Sequence, residues 1–145
     1  MATETEIVER REHFEEGIRK WQEMEDLTIA SADRIKAATG NVLVQTLADI
    51  IRADSTKHKE VLAMISRALD GAIELNPDEL GQISELITNH IEIERSSIDL
   101  AMEEYENSRH FVVRELLSYL LEDERKHFKL LTQLNDFKRK LYPYA

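Results

Sequence analysis

Four positions along the chain put ionisable side chains where an apolar stripe should continue. Glu25 follows Trp21 by four residues and Glu94 follows His90 by four, each midway along a run of otherwise apolar spacing. Asp54, Ser55 and His58 interrupt the stripe between Ile51 and Leu62, and Asp123, Glu124 and His127 interrupt that between Leu120 and Leu131. Burying an unpaired carboxylate costs several kcal/mol, so carboxylates at such positions need something positive to neutralise them. The spacing Glu124-x-x-His127 sets a carboxylate and an imidazole one turn apart on one helix face, able to hold one metal ion together. No Gly-rich phosphate loop, Ser-His-Asp ordering or nucleophile elbow accompanies them. With Cys 0 there is no thiol nucleophile, zinc ribbon or disulfide framework. Metal chemistry is what remains, and a carboxylate-rich set suits Fe or Mn better than copper or a structural zinc, with Zn as an occupant acquired on purification.

Long helices must position these side chains. Gly 4 and Pro 2 in 145 residues, beside 33% charged residues, leave few turn-makers and many helix-formers. An all-β fold is excluded and an all-α, four-helix bundle is expected. The sparse punctuation at Thr39-Gly40-Asn41, Asp70-Gly71 to Asn76-Pro77, Asn107-Ser108 and Pro143 divides the chain into helices over 5–38, 41–69, 76–106 and 108–141. Asn76 is the N-cap before Pro77, with Asp78 and Glu79 at the positive end of the helix dipole, and Gly71 stops the preceding helix. The length is that of a single domain, 1–145, and 42% hydrophobic residues suffice for one core.

The two halves of the chain repeat. A shift of 69 residues lays Ile18 on Ile87, Glu25 on Glu94, Ile29 on Ile98 and Ala32 on Ala101. It continues without a gap through Leu47 on Leu116, Asp54 on Asp123, Lys57 on Lys126, His58 on His127 and Leu62 on Leu131. This reads as two duplicated helical hairpins, about 17–70 and 86–139. If the turns centre on Gly40 and Arg109, each Glu stands fifteen residues before its turn and each His eighteen after. At about 1.5 Å rise per residue the two lie at nearly the same height.

A lone Glu, a helix with His, another lone Glu and a helix with Glu-x-x-His resemble the ferritin-like superfamily, and within it the short rubrerythrin-type proteins. The resemblance implies a di-iron or di-manganese centre inside the bundle, with Glu25, His58, Glu94, Glu124 and His127 as metal ligands and one or two Fe or Mn ions per chain. It further implies a ferroxidase or peroxidase, and an external electron donor, because the cysteine-free chain lacks a rubredoxin-type domain. Asp54 and Asp123 would orient the histidines. His90 is open to three roles: further ligand, outer donor or core histidine. Tyr119 is either a tyrosine beside the metal or a core tyrosine with its hydroxyl bonded.

The pattern departs from that family at Ser55, which stands where a bridging Glu belongs. Asp54 substitutes for it, one metal is weakly held, or the site keeps a single ion. Ferritin-like bundles also join their second and third helices by a long crossover, whereas Gly71 to Asn76 reaches at most about 20 Å. That leaves an up-down-up-down bundle, a crossover formed by 71–81, or hairpins exchanged between two chains, and a homodimer or higher homo-oligomer is expected. Against the oxidoreductase stands a non-catalytic assembly or regulatory bundle whose polar layer fixes register. The net charge of −10 disfavours nucleic acid and anionic membrane as partners, and no apolar run approaches the ~18–20 residues of a bilayer span. A soluble, cytoplasmic protein is expected.

Overall fold

The computed structural model describes residues 1–141, with side chains described to 137. It is all-helical, without a strand among the described residues, and runs α1 (Glu4–Ala37), α2 (Val42–Leu69), α3 (Pro77–Gln82), α4 (Ser84–Asn107) and α5 (Phe111–Leu141). None of these helices is long and apolar enough to cross a membrane. The stop expected at Pro143 lies outside the described residues. The chain forms two compact units, Met1–Glu74 and Leu75–Ala145.

The first unit is a hairpin of α1 and α2. Thr3 and Glu6 cap α1 reciprocally, Thr3 N–H donating to Glu6 Oε2 at 2.7 Å and Glu6 N–H to Thr3 Oγ1 at 3.2 Å. Asn41 caps α2 by accepting from Val44 N–H at 3.2 Å. At the far end of α2, Ala72 N–H bonds to Arg67 O and Gly71 N–H to Ala68 O. Gly71 sits at φ 75, a left-handed conformation that glycine adopts without a Cβ penalty, and it stops the helix as expected. Every seventh residue is buried along both helices: Ile18, Glu25 and Ala32 on α1, and Ala48, Ser55 and Leu62 on α2. A seven-residue repeat keeps one seam facing the partner helix, as in a coiled coil. Outside the seam, ion pairs cross from α1 to α2 at Lys59–Asp26, Arg52–Asp33 (2.8 Å) and Lys36–Asp49 (2.8 Å), and from α1 to the C-cap of α2 at Arg11–Asp70.

The second unit pairs α4 with α5, with the short α3 packed on both. Asn76 accepts from Asp78 N–H at 2.9 Å and Pro77 takes the first helical position, as the sequence predicts. The helix expected to run unbroken from 76 to 106 instead breaks at Ile83 (φ −106, ψ 5). Gly81 lies just before the break, and a glycine in a helix interior costs about 1 kcal/mol against alanine, while burial of Leu80 and Ile87 holds the segments on either side. The seven-residue seam returns as Leu80, Ile87 and Glu94, all buried, and continues on α5 as half-buried Leu117, Glu124 and Leu131.

The candidate metal centre

In the first hairpin Glu25 is buried beside the equally buried Ser55. Trp21 Nε1–H donates to Glu25 Oε1 at 3.1 Å, His58 Nδ1 lies 3.2 Å from the same oxygen, and the Ser55 hydroxyl hydrogen-bonds to the carboxylate. Burial pushes the Glu25 carboxyl up, but the bonds from Ser55, Trp21 and His58 outweigh it and leave the group below the usual carboxylate value. Glu25 is therefore an ionised carboxylate satisfied by its own hairpin. Ser55, read from sequence as a missing ligand, is here a hydrogen-bonding partner.

The second hairpin repeats this geometry with one exchange. His90 Nε2 lies 3.0 Å from Glu94 Oε1, and His127 Nδ1 approaches the same oxygen at 3.4 Å. These are the counterparts, 69 residues on, of Trp21 and His58. The hairpin turns match at the same shift: Gln45 Nε2–H donates to Thr39 O at 2.8 Å, and Arg114 Nη1–H to Ser108 O at 3.0 Å. What differs is the seam, where Glu124 replaces Ser55.

That exchange changes the electrostatics. Glu94 is only 5% exposed, and its Oε2 has no hydrogen-bond donor. Its neighbour across the seam is a second carboxyl, and Glu124 can donate to Glu94 only by keeping a proton. The contact with Glu124 holds Glu94 below the usual carboxylate value, against its burial and with help from His90 and His127. The same contact, with burial, pushes Glu124 up. Ligand atoms of Glu94, Glu124 and His127 all lie within 4.8 Å of one another, and they make the one such group of three among the described residues. Two carboxyls and an imidazole this close are a donor set that could hold a divalent cation, and carboxylate-rich sets of this kind suit Fe or Mn.

The five expected ligands thus fall into two sets, Glu25 with His58 on the first hairpin and Glu94, Glu124 and His127 on the second. His90 is 55% exposed, which removes the core-histidine reading, and its ring points at Glu94. Tyr119 donates its hydroxyl to Asp123 Oδ2 at 3.0 Å, and Lys126 Nζ pairs with Asp123 at 3.1 Å, so these partners of Asp123 lie in its own helix. Burial pushes the Asp123 carboxyl up, but Lys126 and Tyr119 outweigh it and hold it below its usual value. The part of Ser55 was detectable in principle, since the register that levels His58 with Glu25 also sets residue 55 against it. Compared with models of known protein families, with curated protein sequences and with solved structures, the chain matches none.

Proposed function

We propose that this chain is a ferritin-like metal-binding protein that takes iron or manganese at Glu94, Glu124 and His127 and serves as an oxidoreductase of the ferroxidase or peroxidase type. The observation that carries the reading is the group of Glu94, Glu124 and His127, whose ligand atoms lie within 4.8 Å of one another, with Glu94 buried and its Oε2 without a donor. In this reading Glu94 and Glu124 neutralise the ion and His127 caps it, while His90 stays hydrogen-bonded to Glu94 and orients it. The bound ion would supply the one-electron chemistry with dioxygen or peroxide that none of these side chains can. Binding would favour the ionised form of Glu124, against the contact with Glu94 that pushes its carboxyl up. The ferritin-like four-helix bundle belongs to the same proposal and rests on the order of Glu and Glu-x-x-His along the chain.

The test is elemental analysis of protein reconstituted with Fe(II) or Mn(II). About one equivalent per chain, lost in Glu124→Gln, is expected, and well under one equivalent ends the metalloprotein reading. One observation favours the second reading, a non-catalytic bundle. The Glu25, Ser55 and Trp21 cluster is a closed polar layer of the kind that fixes helix register, and a metal-free protein of undiminished stability would leave that reading standing.

A further inference from the structure

Carboxylate-bridged ion pairs in helical bundles take a Glu from each of two helices and a Glu-x-x-His from each of two others, four carboxylates and two imidazoles in all. The α4–α5 hairpin presents half of that set: Glu94 on one helix, Glu124 and His127 on the other. The α1–α2 hairpin lacks the matching half, because Ser55 has no carboxylate and Glu25 is already hydrogen-bonded by Trp21, Ser55 and His58. A second α4–α5 hairpin has it.

We propose that two copies of the chain pair through the face of α4–α5 that carries Glu94, Glu124 and His127, and that the two half-sets close a two-ion site on the twofold axis. This rests on the metal-binding reading above and names the partner that completes it. A twofold interface is self-complementary, so each half-set meets its identical counterpart. The face is shaped for such a partner. Beside Glu124 a groove of about 260 Å³ is lined by Leu100, Ala101, Leu117 and Leu120, and beside His127 another of about 310 Å³ is lined by Leu130 and Leu131. Leu100, Leu120 and Leu130 are 59%, 49% and 56% exposed, so apolar surface flanks the ligands on both sides.

Charge makes the pairing conditional. Each chain carries a net charge of −10, and the interface would bring four carboxylates together, which is costly without compensating cations. Association and metal binding are then one linked event. By reciprocity, metal tightens the dimer by the factor by which dimerisation tightens metal, typically about 5–150-fold.

The experiment is sedimentation of the full chain with and without Mn(II), alongside electron paramagnetic resonance of the bound Mn(II). Expected are about one Mn(II) per chain, a mass that doubles only with metal, a spectrum with the halved hyperfine spacing of a coupled pair, and metal affinity that weakens on dilution. Leu120→Arg, at an exposed position, should keep the helical circular dichroism while losing the mass increase and the coupled spectrum. Mn(II) bound at full stoichiometry to a single-chain particle, indifferent to dilution and uncoupled, overturns the paired site and leaves the metal reading intact. A dimer that ignores metal and survives Leu120→Arg places the interface elsewhere and overturns it too. If no Mn(II) binds, the metal reading falls and this proposal with it.

Discussion

The two hairpins solve the same problem with different chemistry. Each buries a glutamate at mid-seam, flanks it with a ring nitrogen one turn back on its own helix and sets a histidine opposite. Trp21 and His90 occupy the first role, His58 and His127 the second. They diverge at the residue across the seam. A hydroxyl hydrogen-bonds to Glu25, so the first hairpin holds a buried negative charge without a cation. A carboxyl meets Glu94, so the second sets two acids against each other, with Glu124 pushed up and Glu94 Oε2 left without a donor. The outer surfaces differ in the same sense, since Lys and Arg tie α1 to α2 and its C-cap through four pairs, while among the described residues of the second hairpin each Lys or Arg ion pair stays within one helix. One hairpin satisfies its buried carboxylate from within, and the other leaves an oxygen of Glu94 without a donor.

The strongest way to break this contrast is to make the first hairpin like the second. Ser55→Glu removes the hydrogen bond to Glu25 and inserts a larger acid into a buried seam, with packing strain of about 1–3 kcal/mol and a further loss from the uncompensated carboxylate pair. The metal-free protein should lose about 3 kcal/mol in urea unfolding. With Fe(II) or Mn(II) the melting temperature should recover and the stoichiometry rise by about one ion per chain. Unchanged stability and stoichiometry would show that residue 55 does not face Glu25.

The converse change is smaller. Glu124→Gln keeps the shape and gives Glu94 a permanent N–H donor, so the metal-free protein at neutral pH should gain about 1 kcal/mol, and the variant should take up no Fe(II) or Mn(II). The pH dependence shows why. Glu124 is pushed above the usual carboxylate value of 4.5, so the stability it contributes is fully present below that value and is lost as pH rises through its folded pKa. Glu94 and Glu25 are held below 4.5, so what they contribute is present above it and is lost as pH falls through their folded values. Metal-free wild type should therefore weaken as pH rises beyond 4.5, and Glu124→Gln should not. Urea unfolding at a series of pH values separates the two, and an identical decline in both proteins would remove Glu124 as its cause.

Much of this arrangement was legible in the residues. The helix boundaries followed from Asn76-Pro77 and Gly71, and the shift of 69 sets each Glu at the height of its His. The break at Ile83 was not legible, because it reflects a balance between one glycine and the packing of Leu80 and Ile87, which periodicity alone does not weigh. Nor was the part played by Ser55. A serine aligned with a glutamate reads as a lost ligand until the lone pairs of Glu25 are counted and two of its partners prove to be Trp21 and Ser55. The Trp21-to-His90 exchange was visible at the same offset. Its meaning lies in chemistry, because an indole N–H only donates, whereas an imidazole can also carry a proton.

The smallest expected effect concerns the outer surface of the first hairpin. Asp33 and Arg52 pair across α1 and α2 at 2.8 Å with both side chains about half exposed. Pairs in this setting contribute about 0.2–1 kcal/mol, because water and side-chain entropy offset most of the Coulomb attraction. Asp33→Asn should therefore cost about 0.5 kcal/mol at low ionic strength. At about 1 M salt, where the Debye length falls to about 3 Å, the difference between variant and wild type should shrink towards zero. Comparing the two proteins at each salt concentration cancels the general strengthening of apolar burial by salt. Trp21, the single tryptophan of the chain, sits in the same hairpin, so its fluorescence during urea unfolding reports on the unit in question. A difference that persists undiminished at high salt would mean that Asp33 acts by something other than its charge, and the cross-helix pairs would then not account for the greater closure of the first hairpin.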